Sequence, residues 1–207
     1  MMRLLTFVST TAFCACLHAQ SAADRLQAEL EHIHDLDQND RHNVSGFIGA
    51  QKDSVVAHMT LYDSLNLVRV TAIIDSAGWL GSDVIGQKAN QALFLVIQHG
   101  DAKPEIQAQY LPLMRDAVQE GKANSWELAL LEDRVRVNHH QTQIYGSQIG
   151  WKDGEPYMQP IEDEEHVNER RAAERLEPLE KYAERFDLKW SPPVKQERVL
   201  LLGPAKH

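Results

Sequence analysis

The stretch Ser82 to Asp101, SDVIGQKANQALFLVIQHGD, decides how the rest of the chain is read. It reads as one helix that starts exposed and ends buried. Ser82 is placed to act as N-cap, and Asp83 suits the positive end of the helix dipole. Ile85, Ala89, Ala92, Leu93 and Val96 share one face at helical spacing. Phe94, Leu95 and Ile97 then make the last turns apolar all round, as expected of a central helix with these three side chains buried. Gly100 is the expected left-handed stop. Gln98, His99, Gly100 and Asp101 therefore leave the core where it is most hydrophobic. Buried polar groups need partners, so a polar node is expected at this corner.

Working outward, the amino-terminal segment reads as separate from the fold. Met1-Met2-Arg3 is a short positive start, and Leu4 to Leu17 is an apolar run too short to span a bilayer. Leu17-His18-Ala19 before Gln20 is a small-residue cleavage site, so residues 1–19 read as a secretory signal peptide and the protein as periplasmic or secreted. Cys14 and Cys16 both fall in this segment, so the mature chain has neither disulfide nor thiol chemistry. A lipid anchor on either is the weaker reading, because Phe13 sits badly before both. The remaining chain is long enough for one domain with a real core. Residues 20–190 read as that single domain and 191–207 as a C-terminal tail. The 21 basic and 30 acidic residues give a formal net charge of −9, which disfavours nucleic acid and anionic membranes as partners. No later apolar run is long enough for a transmembrane helix.

Along the mature chain the elements follow from periodicity. Ala22 to about Asp40 is an amphipathic helix with Leu26, Leu30, Ile33 and Asp37 on one stripe. Val44 to Lys52 reads as a loop or short turn. Asp63 to Ala77, from as early as Ser54, is a second helix with Leu67, Val70, Ile73 and Ile74 buried. Pro104 opens the next helix. Its expected buried face is Ile106, Tyr110, Leu113, Met114 and Ala117, with a kink or break at Pro112. Asn124 and Glu127 resemble a capping box for a helix from Ser125 to about Asn138. Its stripe is Leu128, Leu131 and Val135, with Asp133 and Arg134 pointing elsewhere. Asp153-Gly154 between Thr142–Gln148 and Glu155–Ile161 is a hairpin signal. Val167 to Phe186 returns to helix. The expected fold is mainly α, a single-domain helical bundle with one small β-hairpin.

Several spaced motifs carry a resemblance. They are Asp37-Gln38-x-x-Arg41, Asp63-x-x-Asn66, Gly78-Trp79, Gly86 with Ala89, Gln98-His99-Gly100-Asp101 and Leu111-Pro112-Leu113. Leu131-Glu132-Asp133-Arg134, Gln143-x-Tyr145-Gly146-Ser147-Gln148, Pro160-Ile161, Arg170-Arg171 and Leu176-x-Pro178-Leu179 complete the set. In this order, from about Asp37 to Tyr182, the chain resembles a bacterial domain-of-unknown-function family, number sixty-six twenty-four. Leu80-Gly81 stands where that family usually reads Pro-Thr, and Ser147 replaces a usual Thr. The resemblance implies the fold and the set of polar positions; it implies no reaction.

The polar positions allow two readings each. His99 with Asp101 suits a catalytic imidazole oriented by a carboxylate, or a histidine that bonds the last helical carbonyls. Asp37, Gln38 and Arg41, and likewise Asp133 and Arg134, suit a pocket floor for a carboxylate or phosphate, or an ion-pair network between helices. Gln143, Tyr145 and Gln148 suit a neutral polar ligand, or a strand edge that satisfies helix ends; in a strand Gln143 and Tyr145 would share a face. Glu31-x-x-His34 is half of a di-iron pattern without its other half. No metal is expected, for His-Glu-x-x-His is absent, His139 and His140 diverge on a helix and Glu162 to Glu165 lacks calcium-loop spacing. No cofactor is expected, and neither a phosphate loop nor a nucleophile elbow is present.

Two functions follow. The first is an exported domain that binds a small polar ligand or a protein partner through a polar groove. The alternative is a hydrolase-type enzyme with His99 as general base and Asp101 and Tyr145 beside it. In either case Arg41, His99, Asp101, Asp133, Arg134, Tyr145 and Gln148 are expected to converge, because each stands where an element ends or bends. Intact-mass analysis of exported protein is expected to find a chain beginning at Gln20. A mass that retains Met1, or a diacylglycerol on either cysteine, would refute the cleavage site.

Overall fold

The computed structural model describes residues 10–46 and 48–193, with side chains from Ala22 onward except at 43 and 45. The start of the segment read as a signal peptide, residues 1–9, and the tail from 194 lie outside the described residues. The order is α1 (Thr10–Asn43), a 3-10 turn (Val44–Gly46), α2 (Gly49–Ala77), α3 (Ser82–Ile85), α4 (Gln87–Gln98), α5 (Pro104–Gln119) and α6 (Ser125–Asn138). Then come β1 (Ile149–Lys152), β2 (Glu155–Met158), a second 3-10 turn (Glu164–His166), α7 (Val167–Ala173) and α8 (Leu179–Glu184). This is the mainly α, single-domain bundle with one hairpin that the periodicity predicts.

Helix α4 is central for the reason its composition suggests. Ala89, Ala92, Leu93, Phe94, Val96 and Ile97 are all buried. It packs most extensively on α1, and also against α2, α5 and α6. Leu30 and Ile33 of α1 and Val70, Ile73 and Ile74 of α2 complete the core around it. Leu95 departs from expectation: it is only partly buried and packs at the rim.

The predicted single helix from Ser82 is broken at Gly86, whose φ is 78°. A side chain there would be strained, and a Cβ would also lie 3.0 Å from the Gln27 side-chain nitrogen of α1. Gly81, not Ser82, occupies the N-cap position. At the other end His99 caps the helix with φ −92°, and Gly100 does not adopt the left-handed conformation. Gly100 serves close approach instead, since a Cβ would stand 3.2 Å from the Ile97 carbonyl oxygen and 3.3 Å from Leu67 Cδ1.

Other differences share one cause, which is that burial is decided by neighbours. Helix α2 starts at Gly49, so the expected loop at Val44–Lys52 shrinks to a turn. Its first turns are mostly exposed and carry no apolar period to read. Helix α5 runs unbroken through Pro112. Its buried face includes Gln107 and Leu111, while Leu113 is 42% exposed. Helix α6 is covered on two sides, so Asp133, expected to point away from the packed face, is 0% exposed.

The hairpin turns at Asp153-Gly154, both at positive φ, and pairs Ile149 with Met158 and Lys152 with Glu155. Thr142–Gln148 is not its first strand; it is a loop whose one ladder contact is a Gln143–Ile161 bridge. Gln143 and Tyr145 therefore do not share a strand face. The expected helix from Val167 to Phe186 is interrupted between α7 and α8, with Arg175 at φ 60°. A small second core of Ile161, Val167 and Leu179 lies under this end. Among the described residues, no helix is long and apolar enough to cross a membrane.

Phe94 is 2% exposed at the centre of the bundle. Phe94→Ala is expected to cost about 3–5 kcal/mol through the cavity it leaves. Leu113→Ala, at an exposed position, is expected to stay within about 0.5 kcal/mol. Urea unfolding of both variants checks the pair.

Candidate functional site

The polar node at the end of α4 exists, and it is built on α1. The apolar stripe of α1 ends in Asp37, so a carboxylate reaches the core where α1, α2 and α4 meet, and it is 1% exposed. His99, the residue that closes α4, directs Nδ1 at both Asp37 oxygens, at 2.8 and 3.0 Å. Gln38 donates to Asp37 at 2.7 Å. Arg41, one turn along α1, donates to the Asp37 carboxylate at 3.1 Å and to its backbone carbonyl at 2.8 Å. The other arm of Arg41 reaches across to α2 and meets Asp63 at 2.9 and 2.8 Å.

The geometry fixes the chemistry of the imidazole. A carboxylate only accepts, so Nδ1 carries the proton that Asp37 holds. Nε2 has no partner among the described residues, and His99 lines a cavity of about 200 Å³. Arg41, Asp63, Ser64, Asp101 and Lys103 share that lining. Burial alone would raise the Asp37 carboxyl, but the His99 hydrogen bond and the nearby charges of His99 and Arg41 outweigh it, so its pKa lies below the ordinary value. Arg41, shared by two carboxylates, is not free to take an anionic group.

Asp101 lines the same cavity but is not the orienter of His99. It accepts from Gln107 Nε2 at 3.0 Å and from Arg134 at 3.2 Å. Gln107 also donates to the Gln98 carbonyl, and Asn138 donates to the Gln107 oxygen at 2.7 Å. Asp101 thus ties the α4–α5 turn to α6, and Arg134 reaches the rim of the cleft through it.

Asp133, Gln143 and Gln148 form a separate, buried knot. Asp133 accepts the backbone N–H groups of Ile144 at 2.6 Å, Tyr145 at 3.1 Å and Ser147 at 2.9 Å. Burial pushes its carboxyl up and these donors pull it back, with the balance above the usual range. Gln143 donates to the carbonyls of Gln148 and Gln159 and accepts the Gln148 N–H. Arg170 and Arg171 donate to the carbonyls of Ile144 and Tyr145. Most of the hydrogen-bonding capacity described for this loop is used inside the protein. Tyr145 is half-buried and does not line the cleft. Burial, then the Glu132, Glu174 and Asp133 carboxylates, hold its phenol far above its ordinary pKa, which makes it a donor and not a base.

The seven residues expected to converge thus divide between a cleft with Arg41, His99 and Asp101 and a knot with Asp133 and Gln148. Arg134 stands at the rim of the first, and Tyr145 beside the second. Sequence reasoning left out Asp63, Ser64, Gln107 and Lys103. Asp63 carries a signal in hindsight, as part of Asp63-x-x-Asn66. Gln107 was hidden because an amide in an apolar face reads as an interruption. Among the described residues no three His, Cys, Asp or Glu side chains group as metal ligands.

Because the folded Asp37 carboxyl lies below its ordinary value, its contribution is fully present above about pH 4 and is lost as pH falls through the lowered value. Urea midpoints measured at about pH 5 and about pH 3 are expected to fall less in Asp37→Asn than in wild type. Equal losses would show that His99 and Arg41 do not hold the carboxylate.

One comparison with known proteins bears on this arrangement. A sequence model described as a family of unknown function, DUF6624, matches residues 24–194. No curated protein and no solved structure matches the chain. The match covers α2 to α8 and the part of α1 that delivers Asp37 and Arg41, well over half of the 207 residues. The chain therefore belongs to the family of unknown function DUF6624.

Proposed function

We propose that the cleft at the end of α4 binds a small polar ligand, and that the protein does so after export through its amino-terminal signal segment. The observation that carries the binding reading is the His99 imidazole, held at Nδ1 by a buried carboxylate and left without a partner at Nε2 on a cavity wall. An oriented acceptor in a concave site asks for a ligand O–H or N–H. Lys103, on the same wall and without a side-chain partner among the described residues, offers a donor for a carboxylate or carbonyl. A small hydroxy acid or amino acid has both groups in one molecule.

A second reading keeps the same geometry and adds chemistry. Asp37 holds the imidazole in the tautomer that a general base requires, so His99 can accept a proton from a water or a ligand hydroxyl. Hydrolysis of a small ester or amide is the reaction class this supports. Asp37, not Asp101, is the orienting residue in this reading.

The test is an NMR titration of the chain with glycolate, lactate, serine and alanine, together with p-nitrophenyl acetate turnover. Resonances of His99 and Lys103 are expected to shift with at least one of the four ligands. His99→Gln is expected to abolish the shift, and because it also removes a partner of the buried Asp37 it is read beside Lys103→Ala, at an exposed position on the same wall. Lys103→Ala is expected to weaken the shift while leaving the urea midpoint nearly unchanged. Turnover lost in both His99→Gln and Asp37→Asn would select the hydrolase reading. No shift at about 10 mM of any ligand, weaker than about 3 kcal/mol of binding, would end the ligand reading.

A further inference from the structure

A second concave region lies at the other end of α4. Gln87 and His99 are twelve residues apart, about 18 Å along a helix axis, so the two regions do not share a wall. Two adjoining cavities, about 210 and about 330 Å³, both border Gln87 and Asn124. Together they form a groove between the start of α4 and the start of α6. Its frame is fixed by Asn90, whose amide donates to the Leu80 carbonyl at 2.7 Å and to the Lys122 carbonyl at 2.8 Å.

Inside this frame sits a carboxyl with unfinished bonding. Glu127 is 1% exposed. Its Oε2 accepts from the Asn124 side chain at 3.0 Å, the Asn124 backbone N–H also acts on the carboxyl, and its Oε1 is buried without a hydrogen bond of normal geometry. A buried polar atom in that state is costly unless something fills the place. Desolvation pushes this carboxyl up to about 7, so near neutrality it offers an O–H as readily as a charge. Around it stand Gln87, with no side-chain partner among the described residues, and Gln91, whose oxygen meets His34 Nε2 at 3.3 Å and whose N–H groups are left over. The two lysines on the groove are already paired, Lys88 with Asp35 at 2.7 Å and Lys122 with Glu120 at 2.6 Å. Trp126 closes one side, braced edge-to-face by Phe94 at 6.1 Å.

We infer that this groove is a second binding site, and that its ligand is a neutral carbohydrate. Amides and a protonated carboxyl both donate and accept, and so does each sugar hydroxyl, whereas the paired lysines leave little net charge for an ion to find. Oε1 of Glu127 gains the hydroxyl partner it lacks. The indole offers an apolar wall for the C–H face of a pyranose ring, with its N–H end available to the hydroxyls.

The test is an NMR titration of the full ¹⁵N-labelled chain with maltotriose, cellotriose and the trimer of N-acetylglucosamine, with trialanine alongside. At least one sugar is expected to move the Trp126 indole N–H and the Gln87 and Gln91 side-chain amides in a saturable way. Trp126 also braces the core, so Trp126→Ala is read only beside an exposed variant, Gln87→Ala. Gln87→Ala is expected to weaken sugar binding about three- to tenfold, the worth of one or two hydrogen bonds. Absence of groove shifts with all three sugars at about 10 mM would overturn the inference. So would shifts caused by trialanine alone, or sugar affinity unchanged in Gln87→Ala.

Discussion

A buried carboxylate at the junction of three helices is the constraint on which the upper half of the molecule depends. Asp37 ends the apolar stripe of α1, and an ion that deep must be compensated or it opposes folding. His99 from α4 and Arg41 from α1 compensate it, and Arg41 hands the charge on to Asp63 of α2. The register of α1, α2 and α4 is therefore set by polar geometry as well as by the packing of Leu30, Ile33 and the α4 alanines. The same bonding orients the imidazole. In this corner stability and chemistry draw on the same atoms, which is why a cavity there presents an aligned acceptor and not a mobile one.

The lower half repeats the device with a different partner. Asp133 is as deeply buried as Asp37, but its donors are backbone N–H groups of the loop that follows α6. A loop with so little regular structure leaves many N–H groups to satisfy, and one carboxylate satisfies three of them. Gln143, Arg170 and Arg171 take the carbonyls of the same segment, and Tyr182 donates to the Ser147 carbonyl. Gly146 is required there because a Cβ would lie 2.9 Å from Ile161 and Leu179 at a φ of 71°. The most unusual run of the sequence is thus a fastening between α6, the hairpin and α7.

The two carboxylates show why similar sequence signals separate in space. Both lie in or beside a helix with an arginine within one turn, and both read as pocket floor or network. Asp37 meets a side chain with a second, unused nitrogen on a cavity wall, so it supports a site. Asp133 meets main-chain N–H groups and the hydroxyl of Ser147 in the same loop, and closes on itself. Nothing in the local residues distinguishes the cases, because the distinction is the identity of the partner across the fold.

What the sequence by itself determined follows from periodicity and charge. The apolar faces of α1, α2 and α4, the Asp153-Gly154 turn, the mainly α class and the polar corner at Gln98–Asp101 were all legible, since each is a local pattern that burial must respect. Tertiary structure alone decided the rest. It broke the central helix at Gly86, where Gln27 of α1 comes too close for a side chain. It turned Leu113 outward and Gln107 inward on α5, and it buried Asp133 by covering α6 from both sides. It also gave His99 its carboxylate from a residue sixty-two positions earlier, not from the neighbouring Asp101. A side chain's partner is whichever complementary group the packed helices bring within about 3 Å, and sequence distance does not enter that condition.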